Sequence, residues 1–207
     1  MHIVDGVVTH EVLIAGSLLA IAGIAIGLHR LTLENIPAAG VISAVFFIAS
    51  LIHVPLGPSS VHLLMNGLAG LILGFAAFPA LFIALLLQAV FLGFGGITVL
   101  GINTLSVALP AVLLHYLCIH GVRHPDIRIA AVWGAIAGGG AILLTALSIA
   151  LVLMLSGEAF FMIAKFAIIA HLPVMIIEGL LCAVAVILIK KVKPDIFART
   201  FWKNTTP

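Results

Sequence analysis

Apolar runs of bilayer length, separated by short polar turns, limit what this chain can fold into. Only 8% of its 207 residues are charged, whereas soluble domains carry about 25%. Lipid cannot hydrogen-bond an exposed backbone, so such runs must close their own bonds as helices. A spanning helix takes about 20 apolar residues. The sequence therefore predicts an all-α integral membrane protein, about seven transmembrane helices in one compact bundle, with residues 1–207 as a single domain.

Polar and helix-breaking residues set the expected boundaries. The first helix runs from Val7 or Glu11 to Leu28 and the second from about Ala38 to Ile52. HVPLGPSS reads as a loop, because proline, glycine and serine cluster there. The third helix starts near Ser60 and reaches Ala77, where Phe78-Pro79 breaks it; the fourth covers Ala80 to Phe91. GFGGITVLGIN, residues 93–103, suits an irregular or re-entrant segment. The last three helices span about Thr104–Ile119, Ile129–Leu155 and Ile163–Ile189. Glycine pairs at helical spacing (Gly23/Gly27, Gly70/Gly74, Gly134/Gly138) let helices approach closely, and packing within the chain is their expected use.

Charge orients the bundle. With seven crossings, Arg30, Arg123, Arg128 and the tail residues Lys190, Lys191, Lys193, Arg199 and Lys203 all fall on one face; only Lys165 falls on the other. The positive-inside rule makes the basic face cytoplasmic. The amino terminus is then outside, on the same face as the 53–61 loop, and the carboxyl terminus is cytoplasmic. A net charge of +2 and the lack of a basic patch interleaved with aromatics argue against a nucleic-acid partner. Cys118 and Cys182 sit in apolar runs without CxxC spacing and read as buried small hydrophobes. The start lacks a basic segment and a cleavage site, so no removable signal peptide is expected.

The first residues, Met1-His2-Ile3-Val4-Asp5-Gly6, place three nitrogens within chelating reach: the Met1 amine, the His2 amide and the His2 imidazole. Amine and amide close a five-membered ring on a metal, and amide and Nδ1 a six-membered one. A fourth nitrogen completes a square plane, which suits Ni(II) or Cu(II). The same residues also read as an ordinary translation start followed by a histidine, and spacing alone does not choose. Of nine histidines, His2, His10, His53, His62 and His171 fall on the external side. His62, at the entry to the third helix, is the leading fourth donor or else a packed cap, with Asn66 at i+4 on the same helical face. Asp5 and Gly6 read as a turn, and Asp5 also as an acceptor that orients an imidazole. Gln88, Asn103 and Thr104 either line a cavity or bond to backbone of the glycine-rich loop. His171 and Glu178 share one face of the last helix, in a functional role or in an interhelical or subunit contact. No G-x-x-x-x-G-K-[ST], H-E-x-x-H or G-x-S-x-G occurs, so the chain has no P-loop for ATP.

MHIVDG at the start, SSVHLLMNGLAGLILG at 59–74, LLLQAVFLGFGGITVLGINTLSVALP at 85–110 and HLPVMIIEG at 171–179 together resemble the substrate-binding component of energy-coupling factor transporters for cobalt and nickel, the CbiM/NikM family. The likeness covers essentially the whole chain; Val4 stands where the family usually has proline. It implies a non-enzymatic uptake subunit in a prokaryotic inner or plasma membrane, with Ni(II) or Co(II) as transported substrate. It implies metal ligands at Met1 (amine), His2 (amide and imidazole) and His62. Implied partners are a transmembrane coupling component, cytoplasmic ATPases and in some systems a small accessory membrane subunit. The readings set against it are an intramembrane metal-dependent hydrolase using Glu178 as base, and a stand-alone metal channel.

Overall fold

The computed structural model describes residues 2–56 and 59–198, with the side chains of all of these except 53–61, 158, 167 and 198. Met1 lies outside the described residues. The chain folds as α1 (His10–Arg30), α2 (Ile36–Ala49), a hairpin of β1 (His53–Leu56) and β2 (Ser59–His62), α3 (Asn66–Leu73), α4 (Ala77–Leu92), α5 (Leu100–Val122), α6 (Ile127–Leu155), α7 (Phe161–Val192) and a short α8 (Asp195–Ala198). Five helical stretches are long and apolar enough to cross a membrane, and the 33–49 stretch is a shorter apolar one. Residues such as Leu18, Ile21, Phe91, Leu117, Phe166 and Leu180 keep most of their side chains on the outer surface, as a lipid-facing belt requires.

One of those five stretches, Asn66–Leu92, is two helices and not one. On α3, the positions where a Cβ would meet α5 advance in step: Gly70 faces Ala111 and Gly74 faces His115, while Asn66 bonds to Val107. Thus α3 runs parallel to α5. The start of α4 lies at the far end, where Phe78 and Pro79 meet Gly23 and Gly27 of α1. Its end leads back to the 93–96 loop beside the α5 start. So α4 runs antiparallel to α5, and the chain reverses at the 3-10 turn Gly74–Ala76. The break falls at Gly74 (φ +55°), a left-handed conformation that favours glycine, and not at Phe78-Pro79. Pro79 sits in the first turn of α4, where an amide proton has no intrahelical partner to lose.

Two further boundaries differ from expectation. The third helix begins at Asn66, not Ser60, and the segment expected as a loop pairs as a hairpin in the register His53↔His62 and Leu56↔Ser59. Pro55 disfavours a helix there, and a two-stranded edge tolerates its missing donor. His62 therefore ends a strand, and it has no i,i+4 helical relation to Asn66. The fifth helix starts at Leu100 rather than Thr104. The glycine-rich stretch before it, 93–99, is a loop as read.

The glycine pairs pack the chain's own helices. Gly134 faces Val186 and Gly138 faces Glu178 and Cys182, so α6 and α7 lie antiparallel at close range. A Cβ at Gly67 or Gly70 would sit 2.5 or 2.0 Å from a backbone carbonyl of α6 or α5, so helix backbones touch there. Cys118 and Cys182 are free and buried, as expected. At the end of the bundle away from His2, Arg30 donates to the Tyr116 hydroxyl, Lys190 to the carbonyls of Val122 and His124, and Arg123 to that of Phe197.

Candidate metal centre

The amino-terminal segment threads into one end of the bundle instead of trailing in solvent. His2 and Ile3 are buried. Asn103, one turn into α5, holds Ile3 from both sides: its Oδ1 accepts the Ile3 N–H at 2.9 Å and its Nδ2 donates to the Ile3 carbonyl at 3.0 Å. The side-chain amide thus mimics a neighbouring strand. Asp5 N–H donates to the Gly95 carbonyl, and the Thr98 hydroxyl donates to the Asp5 carboxylate. Gly6 (φ +85°) then turns the chain toward α1. Asp5 is a turn and anchor residue here; its observed partners lie in the 95–98 loop.

The glycine-rich loop is shaped by this docking. A Cβ on Gly95 would meet the Asn103 amide at 2.9 Å and His2 Cβ at 3.3 Å, and one on Gly96 would overlap the Asp5 carboxylate at 2.0–2.2 Å. Asn103→Leu removes both bonds to Ile3 and leaves its N–H and carbonyl buried without partners, at about 1–3 kcal/mol each. We expect protection of the Ile3 amide from hydrogen exchange to fall at least about tenfold in that variant, with helix amides of α5–α7 unchanged. Unaltered exchange at Ile3 would contradict this anchoring.

Docking brings three rings into one stack. His2 and His62 lie 4.9 Å apart between centroids at 26°, and Phe94 packs on both at 5.7 and 6.2 Å. His62 Nε2 and His2 Nε2 are 3.0 Å apart. Two nitrogens bound side by side to one metal at ~2.0–2.1 Å are separated by roughly 2.9 Å. The two rings therefore stand close enough to share one metal, although the His2 nitrogen at this spacing is Nε2 and not the Nδ1 of the chelate.

Hydrogen bonds assign the tautomers. His62 Nδ1 faces the Leu63 carbonyl at 2.9 Å, and only an N–H can do so, which leaves the Nε2 lone pair available in the neutral ring. His2 must then donate from Nε2 to that lone pair, which leaves its own Nδ1 unprotonated. Without metal the pair thus carries lone pairs at His2 Nδ1 and His62 Nε2, the two imidazole atoms that the chelate would use. It is the Nε2 edge of His2 that faces His62, so forming the chelate requires the His2 ring to turn. Burial first, then neighbouring positive charge, holds the His2 imidazole well below the usual histidine value.

Gln88, wholly buried on α4, lies beside His2, and neither of its amide atoms makes a hydrogen bond of full geometry to the described residues. Asn66 is buried elsewhere in the fold: its Nδ2 donates to the Val107 carbonyl and the Thr145 hydroxyl, tying α3 to α5 and α6. Thr104 bonds back to the Leu100 carbonyl within α5. His171 is buried on α7, two turns before Glu178. Sequence reasoning left Glu178 open; its carboxylate accepts the backbone N–H groups of Leu64 and Met65, the latter at 2.9 and 3.0 Å. No group of three or more His, Cys, Asp or Glu side chains gathers among the described residues.

Apolar helices packed through glycines, with a buried histidine pair at one end, define a multi-pass membrane protein with a candidate transition-metal site. The chain belongs to the CbiM family, the cobalt uptake substrate-specific transmembrane region, which it matches over residues 2–196. It is 40% identical over 205 residues to a Haemophilus influenzae protein named provisionally as a metal transport protein, covering 97% of this chain and 98% of that one. It is 38% identical over 77 residues, 36% of this chain and 22% of that one, to the fused nickel transport protein NikMN of Rhodobacter capsulatus. A crystal structure of a transition metal transporter shares the fold with a TM-score of 0.75 at 23% identity, covering 93% of each chain. The family is thus one of membrane components for cobalt and nickel transport.

Proposed function

We propose that this chain is the substrate-capturing subunit of an ATP-driven energy-coupling factor importer for Ni(II) or Co(II). The observation that carries the reading is the buried His2–His62 pair, whose stacked rings stand close enough to share one metal. The ion is taken by the Met1 amine, the His2 amide and Nδ1, and His62 Nε2. Four nitrogens in a plane leave no in-plane position for a substrate water, and the Glu178 carboxylate is already committed to Leu64 and Met65. Both points count against a hydrolase. Gln88 Oε1 is placed to accept the ring N–H of His2 once Nδ1 binds the ion, an orienting contact of the kind ligating histidines use.

Seven crossings with the amino terminus outside put the pair at the external face, and the basic α5–α6 turn and α7 end at the cytoplasmic face. There the chain meets a transmembrane coupling component, cytoplasmic ATPases that supply the missing P-loop, and in some assemblies a small accessory subunit. ATP hydrolysis in the partners reorients the site inward. Copurification with an ATPase pair, and uptake that stops when ATP is depleted, test this assembly; ATP-independent uptake by the chain alone favours a channel.

Binding must be coupled to proton release, and the sign follows from the donors. The amide loses a proton at every accessible pH, which alone raises affinity about tenfold per pH unit. The amine, with a reference pKa of about 7.7–8.0, adds a second proton below that value. His2, whose pKa is depressed, adds nothing until pH falls well below about 6.5. Between about pH 6.5 and 7.5 the Kd for Ni(II) should therefore fall about a hundredfold. Calorimetry in buffers of different ionisation enthalpy counts the protons directly; a count near zero would rule this donor set out.

A further inference from the structure

We infer that Glu178, on α7, is a positioning residue for the metal centre: its carboxylate clamps the three-residue connection that carries His62 into α3. This rests on His62 being a metal ligand, as proposed above. His62 ends β2 and Asn66 starts α3, so residues 63–65 must turn the chain sharply inside the bundle. Met65 does so with φ +52°, the one described non-glycine residue in the left-handed region, which costs a side-chain-bearing residue about 1 kcal/mol or more. The turn also leaves the N–H groups of Leu64 and Met65 ahead of the helix, in a region where Leu64 is fully buried. Water is not available there to satisfy that of Leu64.

Glu178 supplies the missing acceptors. It is 1% exposed, and it reaches across from α7 to take both N–H groups, with Oε1 shared and Oε2 on Met65. Hydrogen bonds to a carboxylate are about twice as strong as neutral ones, and this one also sits at the positive end of α3. The helix carrying it is held at short range: a Cβ on Gly138 would lie 2.5 Å from the Glu178 carbonyl. The His62 ring is thus fixed through two connected bonds. Its Nδ1–H donates to the Leu63 carbonyl, and the N–H of that same peptide, from Leu64, donates to Glu178. Displacement of α7 along its axis acts on the strand end that bears His62.

The test uses full-length protein in detergent, with its native amino terminus and no histidine tag. Ni(II) is the probe, with affinity read by calorimetry and the ligand-field absorption of the Ni(II) complex read in parallel. Glu178→Gln keeps one acceptor oxygen and loses the charge; Glu178→Leu removes both acceptors. A positioning role predicts full stoichiometry with graded weakening, about 10–100-fold for Glu178→Gln and more for Glu178→Leu, together with a shifted absorption band. A merely structural role lowers the folded fraction and leaves the Kd and spectrum of the folded molecules unchanged, which would overturn the inference. If Glu178→Leu does not fold, Glu178→Gln decides alone. His62→Ala runs beside them. Wild-type affinity there sinks the metal reading itself, whereas lost affinity there with wild-type behaviour in Glu178→Gln sinks only the role of Glu178.

Discussion

Capping the Met1 amine should abolish high-affinity Ni(II) binding while leaving the helical bundle folded. An acetyl or retained formyl group removes one of four donors and the five-membered ring that the amine closes with the His2 amide. Apparent binding energies of about 10–16 kcal/mol for four-donor metal sites put one donor at roughly 2.5–4 kcal/mol, or about 10²–10³-fold in Kd. Loss of the chelate ring makes the higher figure the expected one. Intact mass identifies the capped and free forms, and calorimetry on each gives the Kd. Equal affinity in the two forms removes the amine from the site. Inserting one alanine after Met1 is a sharper control. Met-Ala-His offers an amine, two amides and an imidazole from one segment, so Ni(II) binding should persist in that variant but cease to depend on His62.

His62→Ala is the second large effect. It removes the donor that comes from the far side of the ring stack, so the amino-terminal segment is left with three nitrogens. We expect Kd for Ni(II) to rise about 10²–10³-fold by the same arithmetic. The ligand-field band should shift as water or solvent replaces the imidazole. The variant should remain folded, because the Ile3–Asn103 bonds and the Asp5 contacts to Gly95 and Thr98 do not involve His62. Retained affinity with an unchanged band would show that His62 is packing only. His10, exposed at the start of α1, serves as a matched control and should alter neither quantity.

Much of the fold was legible in one dimension because lipid leaves few choices. Runs of apolar residues must close their backbone bonds as helices, and the positions of α1, α6 and α7 follow from run length and flanking polar residues. The glycine pairs were readable for a related reason: in lipid, close backbone approach is the main gain, and only glycine permits it. The amino-terminal motif and the glycine-rich loop were each recognisable through the family resemblance; that they dock on one another was not. Their physical link is that Gly95 and Gly96 leave room for His2, Asn103 and Asp5.

The stretch from Ser59 to Ala80 was misread for the opposite reason. SSVHLLMNG has no local feature that forbids a helix. What stops one is a carboxylate 113–114 residues away, on α7, which takes the N–H groups that a longer helix would need. Likewise Phe78-Pro79 looked like the break, but proline is harmless in a first helical turn, and the reversal belongs to Gly74, where α3 must turn beside His115. Asn66 was expected on one helical face with His62 and Thr104 in a cavity or on backbone; in the fold Asn66 ties helices to one another and Thr104 bonds to its own backbone.

Sequence alone therefore determined that this is a multi-pass helical membrane protein of the CbiM family and that its first two residues carry a potential chelate. Those properties are set by composition, by run length and by covalent order. Tertiary structure decided where His62 stands relative to His2, which nitrogen of each ring is unprotonated, and that Glu178 serves the backbone of the His62 connection. All three involve hydrogen bonds between residues 60 to 114 positions apart, with the adjacent Leu63 carbonyl also fixing the His62 tautomer, and contacts at that separation leave no periodic mark in the chain.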